Sequence, residues 1–594
     1  MPVKSWPNLV SMFFEQAEQF KSADMLRVKK DGEWVSLSWS EVADQVCRLA
    51  AALAEMGIEK GDRVVLVSEN RPEWAIADLA IMAAGAISVP SYTTYTPRDY
   101  LHILENSGAK AAIVSTKALA KTFLKAAHQS DDLMHTICMD CPDIAQQLNV
   151  KLYDWDTVMK AQEPDIATYK TRAETVTRDD VACLIYTSGT GGAPKGVMIH
   201  HGAILHNCEG AAGVIESLGL KNNRFLSFLP LSHAYEHSAG FYFPLAIGAS
   251  IWYAQSLDKL AANMEEASPT VMVVVPRLFE MLRMRLIRQM QKKGGLSAKL
   301  FDKTVALGTK RLQAPESMTF MDKMLDKLLT VMVRKKVQQK FGGRMKALVS
   351  GGAPLSPDIG FFFAGLGLPL LQGYGQTESG PVVAVNPPHD PRMSTVGTAL
   401  KNTEIKIAED GEILLRGELV MKGYWRNEKA TAETIKDGWL HTGDIGILDD
   451  EGYLSITDRK KDILINDKGD NISPQRVEGM LALEDEIGQA MIYGDRRPHL
   501  VGLIVPDQEW LLGWAKEHGK STKLSDLTDD ADLKKALDAA VRRVNGRLSN
   551  LEKIRKFAVA SEAFSIENEQ MTPTLKIRRH VICGVYQEQL EGLY

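Results

Sequence analysis

Long apolar runs are missing from this chain. None reaches the ~18 residues of a membrane-spanning helix. Strong charge of either sign is missing too: a net charge of −5 over 594 residues gives no footing for nucleic-acid binding. Cysteine is scarce, with six scattered along the sequence, so free thiols in a reducing compartment are expected. Cys138 and Cys141 have CxxC spacing, but no second pair accompanies them, and Asp140 and Pro142 suggest a turn rather than a zinc or redox site. At the N-terminus Trp6-Pro7-Asn8 interrupts the apolar stretch that a signal peptide needs. No internal repeat or low-complexity tract appears. What remains is an ordinary globular composition, 45% hydrophobic and 24% charged, on a chain too long for one compact core.

The most informative stretch is Tyr186-Thr-Ser-Gly-Thr-Gly-Gly-Ala-Pro-Lys-Gly-Val197, which packs three hydroxyl residues, four glycines and a lysine between apolar runs. Val181 to Tyr186 reads as a buried strand and Val197 to Ile199 as a second one, so the glycine-rich segment is a loop between strands. Glycine lets backbone N–H groups turn toward an anion, Thr187, Ser188 and Thr190 add hydroxyls, and Lys195 adds a point charge. That chemistry suits phosphates. The loop is not a Walker A motif, because Gly196 follows the lysine and a strand, not a helix, comes next. A plain surface hairpin is the competing reading, but it needs one or two glycines, not four.

The segment resembles the phosphate loop of the AMP-forming acyl/aryl-CoA synthetases, the adenylate-forming family that includes luciferases and peptide-synthetase adenylation domains. Gly191 departs from the family pattern, where a second Thr is usual. Further motifs follow in the family's order across nearly the whole chain. Gly373-Tyr-Gly-Gln-Thr-Glu378 resembles the adenine and magnesium motif: Tyr374 and Gly375 would face adenine, Thr377 a phosphate oxygen, and Glu378, with Thr190, Mg²⁺. Ser350-Gly-Gly-Ala-Pro-Leu355 resembles the segment lining the adenine pocket, through Gly352 and Ala353. Trp439-Leu-His-Thr-Gly-Asp444 matches the segment whose Asp accepts from the ribose hydroxyls. Asp458-Arg-Lys-Lys-Asp462 resembles the hinge, where Arg459 would contact ribose and Lys461 would let the last domain swing. Lys468-Gly469-Asp-Asn-Ile-Ser-Pro474 resembles the lining of the thiol acceptor's tunnel, and Met571-Thr-Pro-Thr-Leu-Lys576 the motif with the catalytic lysine, with Leu575 where many relatives have Gly. The resemblance also places Gly189 and Gly192 among the nucleotide contacts.

The resemblance implies an α/β fold. A large N-terminal domain of layered αβ sheets with a small β subdomain (1–458) would be followed by a small mobile α+β C-terminal domain (459–594). The residues agree with that much: helices alternate with short strands such as Val64–Val67 and Ala111–Val114, and Ser40 is expected to open a helix that Gly57 closes. The texture changes from Glu404 to short alternating runs and glycine turns.

Leu229-Pro-Leu-Ser-His-Ala-Tyr-Glu236 and Val275-Pro276-Arg277 resemble the long-chain fatty acyl-CoA synthetase subgroup. The resemblance then implies a long-chain fatty acid–CoA ligase with ATP, Mg²⁺ and CoA, in which Lys576, Glu378, Thr190 and Lys195 carry the chemistry. The acyl pocket is expected from Phe241–Pro244, the Gly202–Gly213 helix and the run around Phe363 and Gly365. Two alternatives stay open: another adenylating ligase, for a medium-chain or aryl acid or one that loads a carrier protein, and a silent binding protein. The chain is expected in the cytoplasm. Two basic amphipathic stretches, Arg277 to Lys293 and Met321 to Lys340, read either as helices with core and solvent faces or as a surface drawn to anionic lipid on the inner face of a membrane. A homodimer is left open.

Overall fold

The computed structural model describes residues 4–143, 149–187, 193–468, 470–572 and 576–594. Two large sheets form its body. In the first, the strands Arg63–Val67, Ile87–Ser91, Ala111–Val114, His135–Cys138, Lys151–Asp154 and Val181–Thr187 run parallel, and Lys195–His200 closes one edge antiparallel. In the second, Arg224–Ser227, Ser250–Tyr253, Val271–Val274, Ala347–Ser350 and Leu370–Gly375 are the parallel centre of nine strands. Helices cover these sheets because their strands are apolar on both faces: Val271–Val274 and Ala111–Val114 are buried throughout.

Helix starts follow the caps. The helix expected to open at Ser40 begins one residue earlier and spans Trp39–Glu55. Ser38 caps it, because Glu41 lies three residues on and returns a hydrogen bond to the Ser38 backbone N–H at 2.7 Å. From Glu404 onward five short strands, the longest Trp439–Leu448, make a separate small sheet, and the strand Leu454–Arg459 lies on its edge. The last region is α+β: Ile487–Tyr493, Leu500–Pro506 and Ile554–Val559 form a three-stranded sheet. It has its own core, in which Val477, Leu481, Leu533, Leu537 and Val544 pack against Ile492 and Ile504.

One buried polar knot ties the first sheet to the body. Asp78, fully buried on the helix Pro72–Ala83, accepts from Ser88 Oγ (2.6 Å), His237 Nε2 (2.9 Å) and the Tyr242 hydroxyl (2.7 Å). Burial works against its charge, yet neighbouring His237 and these three bonds hold it below the usual carboxylate range. Removing the acceptor strands three buried donors. Asp78→Ala is therefore expected to cost about 3–5 kcal/mol and to lower the first thermal unfolding transition in calorimetry; an unchanged transition would show that the knot contributes nothing.

Candidate active site

The carboxyl ends of the parallel strands open onto one cleft of about 2160 Å³, where ligands of open α/β sheets bind. Thr187, Lys195, Gly352, Ala353, Tyr374, Gly375, Thr377, Glu378, Asp444, Arg459, Lys461 and Lys576 all line it. Residues as far apart as 187 and 576 thus converge on one space. Ser188, Gly189, Thr190, Gly191, Gly192, Gly469 and Leu575 lie outside the described residues.

Two polar centres are built inside the cleft. In the first, Thr187 pairs with Lys195 across the antiparallel strands, and the Lys195 ammonium sits 3.8 Å from the Tyr424 ring centre. The Tyr424 hydroxyl donates to Glu378 Oε1 at 2.8 Å, so one ring joins the lysine to the carboxylate. The free edge of the Lys195–His200 strand fixes that ring: Met198 N–H donates to Gly423 O at 2.9 Å, and Trp425 N–H to Gly196 O at 2.8 Å. Desolvation lowers the Lys195 pKa; Glu378 opposes that and Lys461 adds to it. Tyr424 was not among the residues expected from the sequence. No local motif marks it, since its partners are more than forty residues away in the chain.

In the second centre, the Tyr374 hydroxyl donates to Asp444 Oδ2 at 2.7 Å, and Arg459 Nε stands 3.6 Å from Asp444 Oδ1. Asp444 and Arg459 face each other in the ladder between Trp439–Leu448 and Leu454–Arg459. Burial raises the Asp444 pKa and Arg459 counters it. Gly375 is required where it stands: a Cβ there would lie 1.8 Å from Pro381 O. Gly352 has φ +81°, the left-handed region that favours glycine.

Lys576 reaches the same cleft from the C-terminal region. The cleft walls desolvate its ammonium and, with the Arg459 guanidinium, push it down, while Asp444, Asp462 and Glu378 pull it up. Thr572 N–H donates to Lys576 O at 2.8 Å, and Lys576 N–H donates to Thr572 Oγ1 at 3.1 Å. Partly buried His233 faces Lys576; desolvation and that cation push the imidazole down to about 3.

Ion pairs dock the C-terminal region on the body. Arg288, on the helix Pro276–Lys293, meets Asp507 at 2.5 Å and Glu509 at 2.7 Å. Arg547 meets Asp358 at 2.6 Å, and Lys460 meets Asp410 at 2.6 Å. The helix Pro276–Lys293 thus has both core and solvent faces: Arg277 pairs with Glu280 of its own helix, Arg283 donates to Leu483 O, and Arg288 meets the C-terminal carboxylates.

An apolar arm of the cleft runs down the face of the second sheet. Ala211, Val214 and Ile215 line it from the helix His201–Ile215, with Phe225, Phe243, Val271 and Val273 opposite. Phe363 and Gly365 were expected there and are not: Phe363 is packed against Phe279, and Gly365 lies against Gly308 of the helix Gly295–Gln313. Beside the arm, the segment Glu236–Tyr242 forms a wide π-helical turn. Glu236 is fully buried, its Oε2 has no hydrogen-bond partner, and desolvation pushes its carboxyl up to about 8.

The comparisons agree with this arrangement. A family model described as AMP-binding enzyme matches residues 13–425. The long-chain-fatty-acid–CoA ligase FadD15 of Mycobacterium tuberculosis is 32% identical over 99% of this chain and 97% of its own length. Long chain acyl-CoA synthetase 1 of Arabidopsis thaliana is 30% identical, covering 98% of this chain and 92% of that protein. Among solved structures, the adenylation domain of a carboxylate reductase from Mycobacterium chelonae superposes with a TM-score of 0.77 at 20% identity, over 100% of this chain and 92% of that one. O-succinylbenzoate coenzyme A synthetase from Bacillus subtilis, solved in complex with AMP, superposes with a TM-score of 0.67 at 22% identity, over 97% of this chain and 98% of that one. The chain belongs to the AMP-binding enzyme family.

Glu236 carries a pH prediction. Its folded pKa lies above the unfolded value of 4.5, so its contribution to stability is fully present below pH 4.5 and is lost as pH rises toward 8. Glu236→Gln cannot ionise. Its melting temperature relative to the parent chain is expected to climb between pH 5 and 8, by the equivalent of a few kcal/mol at most, then to level off. Parallel melting curves of the two proteins across that range would refute the assignment.

Proposed function

We propose that this chain is an AMP-forming long-chain fatty acid–CoA ligase, which uses ATP to convert the acid to acyl-AMP and pyrophosphate and then transfers the acyl group to CoA, releasing AMP. The observation that carries this reading is the shape of the cleft: a cationic end with Lys195, Arg459 and Lys576 opens directly into an apolar arm. A carboxylate with a long alkyl tail fits both ends at once. The relatives named as long-chain ligases, similar over nearly their full lengths, support the same reading.

The chemistry follows from charge. A carboxylate oxygen must attack the α-phosphate, forming a C–O–P anhydride and expelling pyrophosphate. Two anions repel, so cations are needed where they meet. In this reading Lys195 and the phosphate loop, with Ser188, Gly189, Thr190 and Gly192, hold the β- and γ-phosphates, and Lys576 bridges the carboxylate and the α-phosphate. Tyr374, Gly375, Gly352 and Ala353 would bound adenine, and Asp444 and Arg459 the ribose. The donor set also fits Mg²⁺: Glu378, with Thr190, would hold it, and the ion would neutralise phosphate charge. A CoA thiolate then attacks the acyl carbonyl and AMP leaves with the bonding pair. We place the domain division at 1–458 and 459–594, with Lys461 as hinge and Gly469 lining the thiol path. The six free cysteines suit a cytoplasmic location.

The far end of the apolar arm sets the length of acid in this reading. Val214 and Ile215 give way to a tight turn, Glu216–Leu218, that crosses the amino ends of the sheet strands. Lys346 fastens that turn, donating to Gly219 O and Asn223 Oδ1, each at 3.0 Å. Carboxylate-dependent ATP–pyrophosphate exchange across acids of graded length tests the assignment: the rate should peak with long-chain acids, and a peak with aryl acids would favour the alternative ligase. Lys346→Ala is expected to shift that peak toward longer acids, and an unmoved peak would remove the turn from the channel floor.

Lys576→Ala should lower adenylate formation on the order of 10²–10³-fold. Thioester formation from supplied acyl-AMP should be spared, since the lysine is assigned only to the first step. Equal losses in both half-reactions, measured separately, would overturn that division of labour.

A further inference from the structure

Away from the cleft, the helix Phe320–Leu329 and the π-helical turn Thr330–Arg334 that continues it carry two apolar faces. The inner face is accounted for. Leu325, Leu329 and Val333 pack against Leu300, Leu307 and Met318. The buried Arg334 guanidinium anchors the segment, donating to Asp326 Oδ1 at 2.5 Å and Gly365 O at 2.7 Å. The helix is therefore fixed to the body.

The outer face has no partner among the described residues. Phe320, Met321, Met324, Leu328 and Val331 are between 54% and 80% exposed. Met321, Met324, Leu328 and Val331 recur at i, i+3, i+7 and i+10, one continuous stripe. A contiguous apolar stripe this exposed marks an interaction surface rather than chance. Exposed lysines border it: Lys323 and Lys327 on the helix, Lys335 and Lys336 just after it. Both acids of the helix are neutralised from within, Asp322 by Lys310 at 2.8 Å and Asp326 by Arg311 at 2.8 Å and by Arg334. Glu316, on the preceding turn, is the nearest exposed carboxylate in the chain. The surface thus presents apolar side chains in a cationic frame.

We propose that this segment docks on an anionic lipid bilayer, with the outer stripe entering the headgroup–acyl boundary and the lysines meeting lipid phosphates. That is the pattern of an interfacial helix, whose binding adds apolar burial to attraction for anionic headgroups. A second copy of the chain fits less well, because a two-fold contact through this face would set the lysines of one copy against those of the other. Among the described residues no helix is long and apolar enough to cross a membrane, so attachment here is to one leaflet.

The test is co-sedimentation of the whole protein with phosphatidylcholine vesicles, with and without a phosphatidylserine fraction. The protein should pellet with the anionic vesicles and be released by salt. Met324→Glu combined with Leu328→Glu should reduce partitioning by about tenfold or more, as acidic groups now oppose both terms of binding. Phe320→Ser, at a position free of packing demands, should reduce it without risk to folding. Adenylation of a short soluble acid should be unchanged in all variants. Absence of binding by the parent protein, or equal binding by the variants, overturns the proposal. So does a dimer in sedimentation velocity that these substitutions split, which would assign the face to a second copy.

Discussion

Lys195, Arg459, Lys461 and Lys576 share one cleft, and like charges at that spacing oppose each other. Desolvation lowers the pKa of both Lys576 and Lys195, and a neighbouring cation adds to each shift: Arg459 to the first and Lys461 to the second. Glu378 and Asp444 offset part of it from within. The remainder is set against docking contacts at the periphery, where Arg288, Arg547 and Lys460 pair with carboxylates across the seam. Arg547–Asp358 and Lys460–Asp410 are exposed pairs, worth about 0–1 kcal/mol each, whereas Arg288–Asp507 is largely buried. In the proposed function, a polyanion such as ATP would remove the remaining repulsion among these cations, and loss of pyrophosphate would restore part of it.

Much of this was legible in the sequence because family motifs are local. A strand, a glycine loop and a lysine within twelve residues announce phosphate chemistry without any tertiary information. The layered α/β class followed from alternating strands and helices, and every described residue expected to meet the nucleotide, metal or carboxylate lines the cleft. What could not be read were bonds made at long range. Nothing near Tyr424 shows that its ring lies against Lys195 and its hydroxyl against Glu378. Likewise the pairing of Arg288 with Asp507 spans more than two hundred residues, and nothing near either residue announces it.

The misplacement of Phe363 and Gly365 has a physical reason of the same kind. An apolar, small-residue helix looks alike whether it borders a pocket or another helix. Gly308 and Gly365 allow two helices to approach until a Cβ on Gly308 would lie 2.4 Å from the Gly365 backbone. The glycines serve helix packing, and the phenylalanines fill the core behind it. Capping was legible only to within a turn: Ser40 was expected to open the helix, but Ser38 caps it, its N–H donating to the Glu41 carboxylate.

The layout of the second sheet separates two demands that an activating enzyme must meet. Gly352, Tyr374 and Gly375, which the proposed function assigns to the nucleotide, sit at or beyond the carboxyl ends of the strands. Phe225 and Val271 sit at the opposite ends, where the apolar arm terminates. Val271–Val274, at about 3.3 Å per residue, holds the two regions roughly 10 Å apart through a rigid, fully buried element. Changes at the amino ends can lengthen or block the arm without moving the strand termini that position the nucleotide. In the proposed function the chemistry would thus be anchored at one end of the strands, and the choice of acid made at the other.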